Sequence, residues 1–395
     1  MTSAAMIPIA KPLLGEREAE ATRRVIHSGW LTQGAEVAAF EREFAAAVGA
    51  QYACAVSNCT TALHLALLAV GVGEGDEVIT VSHSFIATAN AIRYCGAVPV
   101  FVDIEPDGFN IDPDLIEPAI TSRTRAILCV HQLGMPCDMN AIMALARRLG
   151  LPVIEDAACA IGSEIEMAGR FERIGAPIGD VACFSFHPRK VVTTGDGGML
   201  TTANPAYDEK FRLWRQHGMS VPDTVRHGAG RVIFESYDLL GFNYRMTDIQ
   251  AAVGREQLRR LDYIVERRRW IASIYRRHLS GIEGIRLPVE PSWARSNWQS
   301  YCVTLSEALD QRTIMQSLLD NGVSSRRGVM NTHREPAYAG AATSWRASGR
   351  LTRSQAAQDH AIMLPLFAQM EEEDVVRVTD ALRLAVASVR SAELV

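Results

Sequence analysis

From Tyr52 to Ile154 the chain repeats one unit: a short apolar run, a polar turn, then apolar residues at helical spacing. Strands alternating with helices admit few solutions: the strands pair in parallel, the helices cover both faces of the sheet, and the crossovers are right-handed. The apolar runs are Tyr52–Val56, Glu77–Val81, Val98–Val102, Arg125–Val130 and Leu151–Ile154. The helical patterns between them are Thr60–Val70, Phe85–Tyr94 and Met139–Leu149, with a short helix after Asp112 and Pro113. Two later runs, Val181–Ser185 and Met199–Thr202, bring the expected count to seven strands in one mostly parallel sheet. Two helices precede it, Gly15–Ile26 and Ala35–Val48, the second with Val37, Phe40, Phe44 and Ala47 on one stripe and Gly49 as its stop.

The second half changes character. Met246–Leu279 reads as one nearly unbroken helix leading out of the α/β part, which is expected to span residues 1–254. Residues 255–395 read as a smaller α+β domain with strands Tyr301–Leu305 and Val323–Arg326 and helices Arg312–Leu319 and Glu371–Val386. Ser220–Gly230 is polar and expected to be a loop. A chain of 395 residues that is 48% hydrophobic has enough apolar material for two such parts. A net charge of −5 leaves no basic face for nucleic acid, and the arginine run 267–269 reads as a solvated helix face. Eight cysteines without a CxxC pair suggest reduced thiols. No targeting segment or membrane-length apolar run stands out, so a cytoplasmic protein is expected.

In an open parallel sheet, ligands bind beyond the carboxyl ends of the strands. After the first strand, Ser57-Asn-Cys-Thr-Thr61 opens a helix whose unpaired N–H groups suit a phosphate, although Asn58 serves equally well as a plain N-cap. Phe85 follows the second strand, as a core ring or as a platform for a flat ligand. Asp156 closes the fifth, where a buried carboxylate needs a partner or takes up a proton. Beyond the sixth come Ser185, His187 and Lys190, then a reversal at Gly195, Gly197 and Gly198. Each has a bland reading alone. Together they supply an anion cradle, a ring platform, a partner for a pyridinium nitrogen and an imine-forming amine, the parts that pyridoxal 5'-phosphate requires.

The segments Ser57-Asn-Cys-Thr-Thr-Ala-Leu-His64, Ser84-Phe-Ile-Ala-Thr88, Val153-Ile-Glu-Asp-Ala-Ala158, Ser185-Phe-His-Pro-Arg-Lys190, Gly195-Asp-Gly-Gly198 and Gly241-Phe-Asn-Tyr-Arg-Met246 resemble the DegT/DnrJ/EryC1/StrS sugar aminotransferases. The resemblance runs from about Ile9 to Leu366 and implies the fold type I architecture of pyridoxal phosphate-dependent transferases. It implies Lys190 as the Schiff-base lysine, Asp156 at the pyridinium nitrogen, Phe85 against the ring, and Thr60 and Ser185 on the phosphate. Asn243 is implied to reach that phosphate from a partner subunit, hence a homodimer with shared sites. Cys59 stands where the family usually has glycine, and Cys159 where it has glutamine or another polar residue near the ring hydroxyl. The implied reaction is amino transfer from glutamate to a keto-sugar carried on a nucleotide, the cofactor alternating with pyridoxamine 5'-phosphate. Trp30, His187 and His333 are candidates for substrate contact, with His217, Tyr244 and Arg245 as further ones. A keto-cyclitol or other non-nucleotide acceptor, a cofactor-binding regulator without turnover, and a phosphate-binding hydrolase are the competing readings.

Overall fold

The computed structural model describes residues 5–176, 178–340 and 345–393. All seven expected strands form in one sheet: β1 Tyr52–Val56, β2 Glu77–Val81, β3 Val98–Val102, β4 Thr124–Val130, β5 Val153–Asp156, β6 Val181–Ser185 and β7 Gly198–Thr202. An eighth, the two-residue β8 Arg346–Ala347, extends the edge, giving the order β1-β7-β6-β5-β4-β2-β3-β8. Pairing is parallel from β6 to β8, and only β7 runs antiparallel to its neighbours β1 and β6. Two residues carry no periodicity, so β8 is invisible in sequence. It is fixed by Arg346, whose guanidinium reaches the fully buried Glu77 carboxylate at 2.7 Å.

The sheet is buried on both faces because its strands are mostly apolar, and the polar residues they carry, such as Glu77 and Thr80, are buried with them. Phe44 packs edge-on against Phe184 at 5.0 Å and Phe186 at 5.7 Å, so the expected stripe of the Ala35–Val48 helix seats on the end of β6. That helix is capped from a distance: the Asp248 carboxylate accepts the N–H groups of Gly34 (2.7 Å), Val37 (3.0 Å) and Glu36 (3.2 Å). Asp248→Ala strands all three donors, and denaturant unfolding should show a loss of about 1–2 kcal/mol.

A separate apolar cluster holds the C-terminal part around Ile271, Tyr275, Tyr301, Val303, Leu318 and Leu382. Its antiparallel sheet orders Ile285–Arg286, Tyr301–Leu305, Ala361–Leu364 and Arg326–Arg327. The strand expected at Val323–Arg326 pairs only at Arg326–Arg327, because Val323 instead bridges Ile7 and is buried. The final helix, Glu372–Glu393, runs past the expected end.

Three expectations need correction. The helix foreseen over Met246–Leu279 is two helices, Asp248–Leu258 and Leu261–Leu279. The first packs Gly254 against Phe40, the second packs Leu261 and Val265 over Gly162, and the chain bends between them. A bend that serves two packing surfaces leaves no breaker residue in the pattern. Arg268, read as part of a solvated face, is buried and donates to the carbonyls of Trp298 (3.1 Å), Gln299 and Leu366 (both 3.2 Å). Ser220–Gly230 contains a short helix, Asp223–Gly228. A hairpin of Glu164–Met167 and Arg170–Arg173 was also not foreseen; it pairs with Ala294–Arg295 in a third sheet. All eight cysteines are free thiols, and no helix among the described residues is long and apolar enough to cross a membrane.

Candidate active site

The site is assembled where β1, β5 and β6 end and β7 begins. Register makes the arrangement: Gly198 of β7 lies opposite Val56 of β1 on one side and Ser185 of β6 on the other. A Cβ on Gly198 would collide with the Asn58 carbonyl and sit 2.8 Å from the Cys59 nitrogen. Glycine there lets β7 slide directly under the start of the Cys59–Ala69 helix and bring Ser185 up to it.

That helix is capped by Asn58, whose Oδ1 accepts the Thr61 N–H at 3.0 Å, while the Ala62 N–H goes to the Asn58 carbonyl at 3.2 Å. The N–H groups of Cys59 and Thr60 then have no acceptor among the described residues, at the positive end of the helix dipole. Asn58 is therefore a cap, and the cap is what leaves the next two donors aimed outward. The Cys59 side chain turns inward, with Sγ 3.7 Å from the Cys183 carbonyl, so its Cβ does not block the approach. Burial pushes its thiol well above the ordinary range, with the Asp156 carboxylate adding to the shift.

Asp156, at the end of β5, is buried. Its carboxylate accepts the Thr88 hydroxyl at 2.8 Å and the Ala158 N–H at 3.2 Å, with no cation in hydrogen-bond reach among the described residues. Burial raises its proton affinity, outweighing Thr88, Ala158 and the fields of Lys190 and His131. Thr88 is held in turn by Ser84 at 2.7 Å, one helical turn earlier.

Lys190 sits on the turn after β6, its N–H bonded to the His187 carbonyl at 2.8 Å. The side chain is partly open, but its ammonium is enclosed and donates to Cys159 Sγ at 3.1 Å. Burial alone would lower its pKa; Cys159, Cys59 and Asp156 outweigh that and leave it above the usual value. The amine is thus held by one sulfur and lies in the field of the Asp156 carboxylate.

Phe85 is 60% exposed just beyond β2, an aromatic ring that the core does not use. His187 is exposed, its pKa lowered by partial burial and by Arg189 and Lys190. His333 is anchored by Ser82 at the end of β2, Nδ1 to Oγ at 2.6 Å, and is lowered by burial and by Arg334. Trp30 is not brought into this group: its Nε1 donates to the Gln33 carbonyl at 3.2 Å, and its ring meets His227 at 5.3 Å beside a cavity of about 500 Å³. Asn243 is exposed, next to Tyr244, whose carbonyl accepts the Ser57 N–H at 2.8 Å. His217 is exposed and lies in the left-handed region at φ 64°.

Sequence reasoning missed the brace behind the lysine. Asn297, fully buried, donates to the carbonyls of Cys159 and Ile161, both at 2.8 Å, and Gln299 donates to the Arg189 carbonyl at 2.6 Å. One turn of the C-terminal part therefore grips the backbone on both sides of the Lys190–Cys159 contact, and Arg268 locks that turn. Nothing local in sequence marks residues more than a hundred positions away. Thr88, by contrast, lay inside a quoted motif, and its spacing of four from Ser84 was the available signal.

Such a site can hold a dianion at one end and a ring cation at the other, with an amine between. The chain matches the model of the DegT/DnrJ/EryC1/StrS aminotransferase family over residues 12–383. It is 37% identical over 381 residues to the spore coat polysaccharide biosynthesis protein SpsC of Bacillus subtilis (strain 168), covering 95% of this chain and 96% of that one. It superposes on S. venezuelae DesV with a TM-score of 0.87 and 35% identity, covering 96% of this chain and 98% of that one. It also superposes on DesI, solved in the presence of its TDP-sugar product, with a TM-score of 0.86 and 28% identity over 100% of this chain and 95% of that one.

Proposed function

This chain belongs to the DegT/DnrJ/EryC1/StrS aminotransferase family, and from that premise we propose that it moves an amino group from L-glutamate to the ketone of a sugar carried on a nucleotide. The family depends on pyridoxal phosphate, which supplies an aldehyde to carry the amino group and a protonated ring to withdraw electrons from the reacting carbon. The observation that carries the reading is the convergence, at adjacent strand ends, of the enclosed Lys190 ammonium with a buried Asp156 carboxylate and the N–H groups of Cys59 and Thr60 that find, among the described residues, no cationic partner and no acceptor respectively.

These residues suit the cofactor. Cys59 and Thr60 offer N–H donors, and Thr60 and Ser185 hydroxyls, to a phosphate. Asp156, costly to ionise alone, is stabilised by a ring cation, while Thr88 fixes which way its carboxylate faces. Phe85 supplies the platform, and Cys159 occupies the ring-oxygen side with a weak hydrogen bonder. Lys190 Nζ would take a proton from the donor's carbon and pass it to the cofactor's carbon, and in the second half-reaction would carry a proton from there to the acceptor's carbon. His187 and His333 are assigned to substrate contact. Asn243 and Trp30 are assigned to a neighbouring copy's site, in a homodimer. The reading divides the chain into a cofactor-binding part, 1–254, and a C-terminal part, 255–395, and makes it a cytoplasmic enzyme. DesI, solved in the presence of its TDP-sugar product, supports the nucleotide-linked acceptor over a cyclitol.

The test is to load the enzyme with cofactor, convert it with glutamate, and offer nucleotide-linked keto-sugars and keto-cyclitols while watching the aldehyde absorption. Return of that band with nucleotide-linked sugars is expected. Return with cyclitols alone would reassign the acceptor, and no conversion by glutamate would favour a regulator. Gly198→Ala should weaken cofactor binding, because the added carbon pushes the phosphate loop away from β7: about 1–3 kcal/mol of overpacking, roughly five- to 150-fold in Kd by equilibrium titration.

A further inference from the structure

A second cavity, of about 280 Å³, lies where the loop after β3 faces the C-terminal part, and it shares no lining residue with the Lys190 cluster. Phe109, Leu133, Trp293 and Trp298 are among its walls, and its charged lining residues are the carboxylates Glu105 and Asp107, with no lysine, arginine or histidine among the described residues. Arg286 approaches from outside, 3.3 Å from Asp107.

Two of its walls are held against their backbone preference. Leu133 has φ 59° and Trp298 φ 50°, conformations that cost bulky residues about 1–3 kcal/mol each. They persist because they are over-determined. Arg268 bonds the Trp298 and Gln299 carbonyls, the Trp298 N–H goes to Ser296 Oγ at 3.0 Å, and the Leu133 carbonyl accepts the Ser300 N–H at 3.3 Å. Both strained side chains end on the wall of the same cavity.

The lining also selects chemistry. A hydroxyl-rich sugar would face indole, phenyl and proline surfaces with its polar groups unpaired, so the cavity does not suit the acceptor. Burial pushes the Glu105 carboxyl up to about 7, and Asp112, Asp138 and Asp107 add to that against the Asn110 backbone. An arriving cation relieves that cost, and aromatic walls favour it further.

We propose that this cavity is a binding site for a compact aromatic or alicyclic molecule bearing a protonated amine, its ring among Trp298, Trp293 and Phe109 and its cation at Glu105. The site is independent of the acceptor reading. Calorimetric titration of the holoenzyme with N,N-dimethyl-2-phenylethylamine tests it, since a tertiary amine cannot condense with the cofactor's aldehyde. One saturable site per chain is expected, with 3-phenylpropionate not binding. Glu105→Gln should weaken the amine about tenfold, and Ser300→Trp, whose indole fills the cavity, should abolish binding while melting like the native protein. No saturable binding, equal binding of the carboxylate, or unchanged affinity in Glu105→Gln overturns the proposal. The last holds even if Ser300→Trp fails to fold, because Glu105 is half-buried on a loop and its replacement is nearly isosteric.

Discussion

Lys190→Ala is expected to lower kcat by about 10³-fold or more, since it removes both the proposed covalent attachment point and the proposed proton carrier. The fold should survive. Among the described residues the lysine ammonium donates only to Cys159 Sγ, so its removal leaves behind a weak sulfur acceptor and no stranded strong one. Stopped-flow mixing of the loaded variant with glutamate reads the rate, and circular dichroism reads the fold. Borohydride reduction of the native holoenzyme followed by peptide mapping gives an independent check, in which the modified peptide must contain Lys190. A modified peptide elsewhere, or an undiminished rate in the variant, removes the assignment.

The second large effect is at Asp156. Asparagine keeps the size of the side chain and a hydrogen bond to Thr88 but gives up the charge that stabilises a protonated ring. A loss of about 10²–10³-fold in kcat follows from removing one preorganised electrostatic partner. A stability measurement separates this role from a structural one. In the cofactor-free protein, burial holds the folded pKa of Asp156 above its unfolded value, so the ionised carboxylate destabilises the native state. That penalty is absent below the ordinary carboxylate range and grows as pH rises through it. The cofactor-free asparagine variant should therefore melt higher than native at neutral pH, with no advantage at low pH, and should gain less from added cofactor. A variant that melts lower at neutral pH and turns over normally would show that Asp156 is a structural carboxylate.

The strands were legible because each is an apolar run long enough to be buried on both faces, and because alternation with helices leaves only parallel pairing. Strand ends then identified Asp156, Ser185 and Lys190, since the sheet's topology tells where a ligand can lie. Elements whose cause is a distant surface were not legible. Two-residue β8 exists because Arg346 finds Glu77, and the bend at Arg259 and Arg260 exists because two helices serve two cores. Arginine is usually solvated, so the run 267–269 gave no hint that Arg268 is enclosed by three carbonyls.

By itself the sequence determined the parallel sheet and the chemical inventory at its carboxyl edge, because periodicity and residue type act locally and survive without coordinates. Only the tertiary structure decided how that inventory is aimed. Gly198 lets β7 pass under the loop at Asn58 and Cys59, Thr88 turns Asp156, and the Asn297–Gln299 turn grips the chain beside Cys159 and Lys190. These are contacts between residues far apart along the chain, and their geometry is set by packing, which no local pattern encodes.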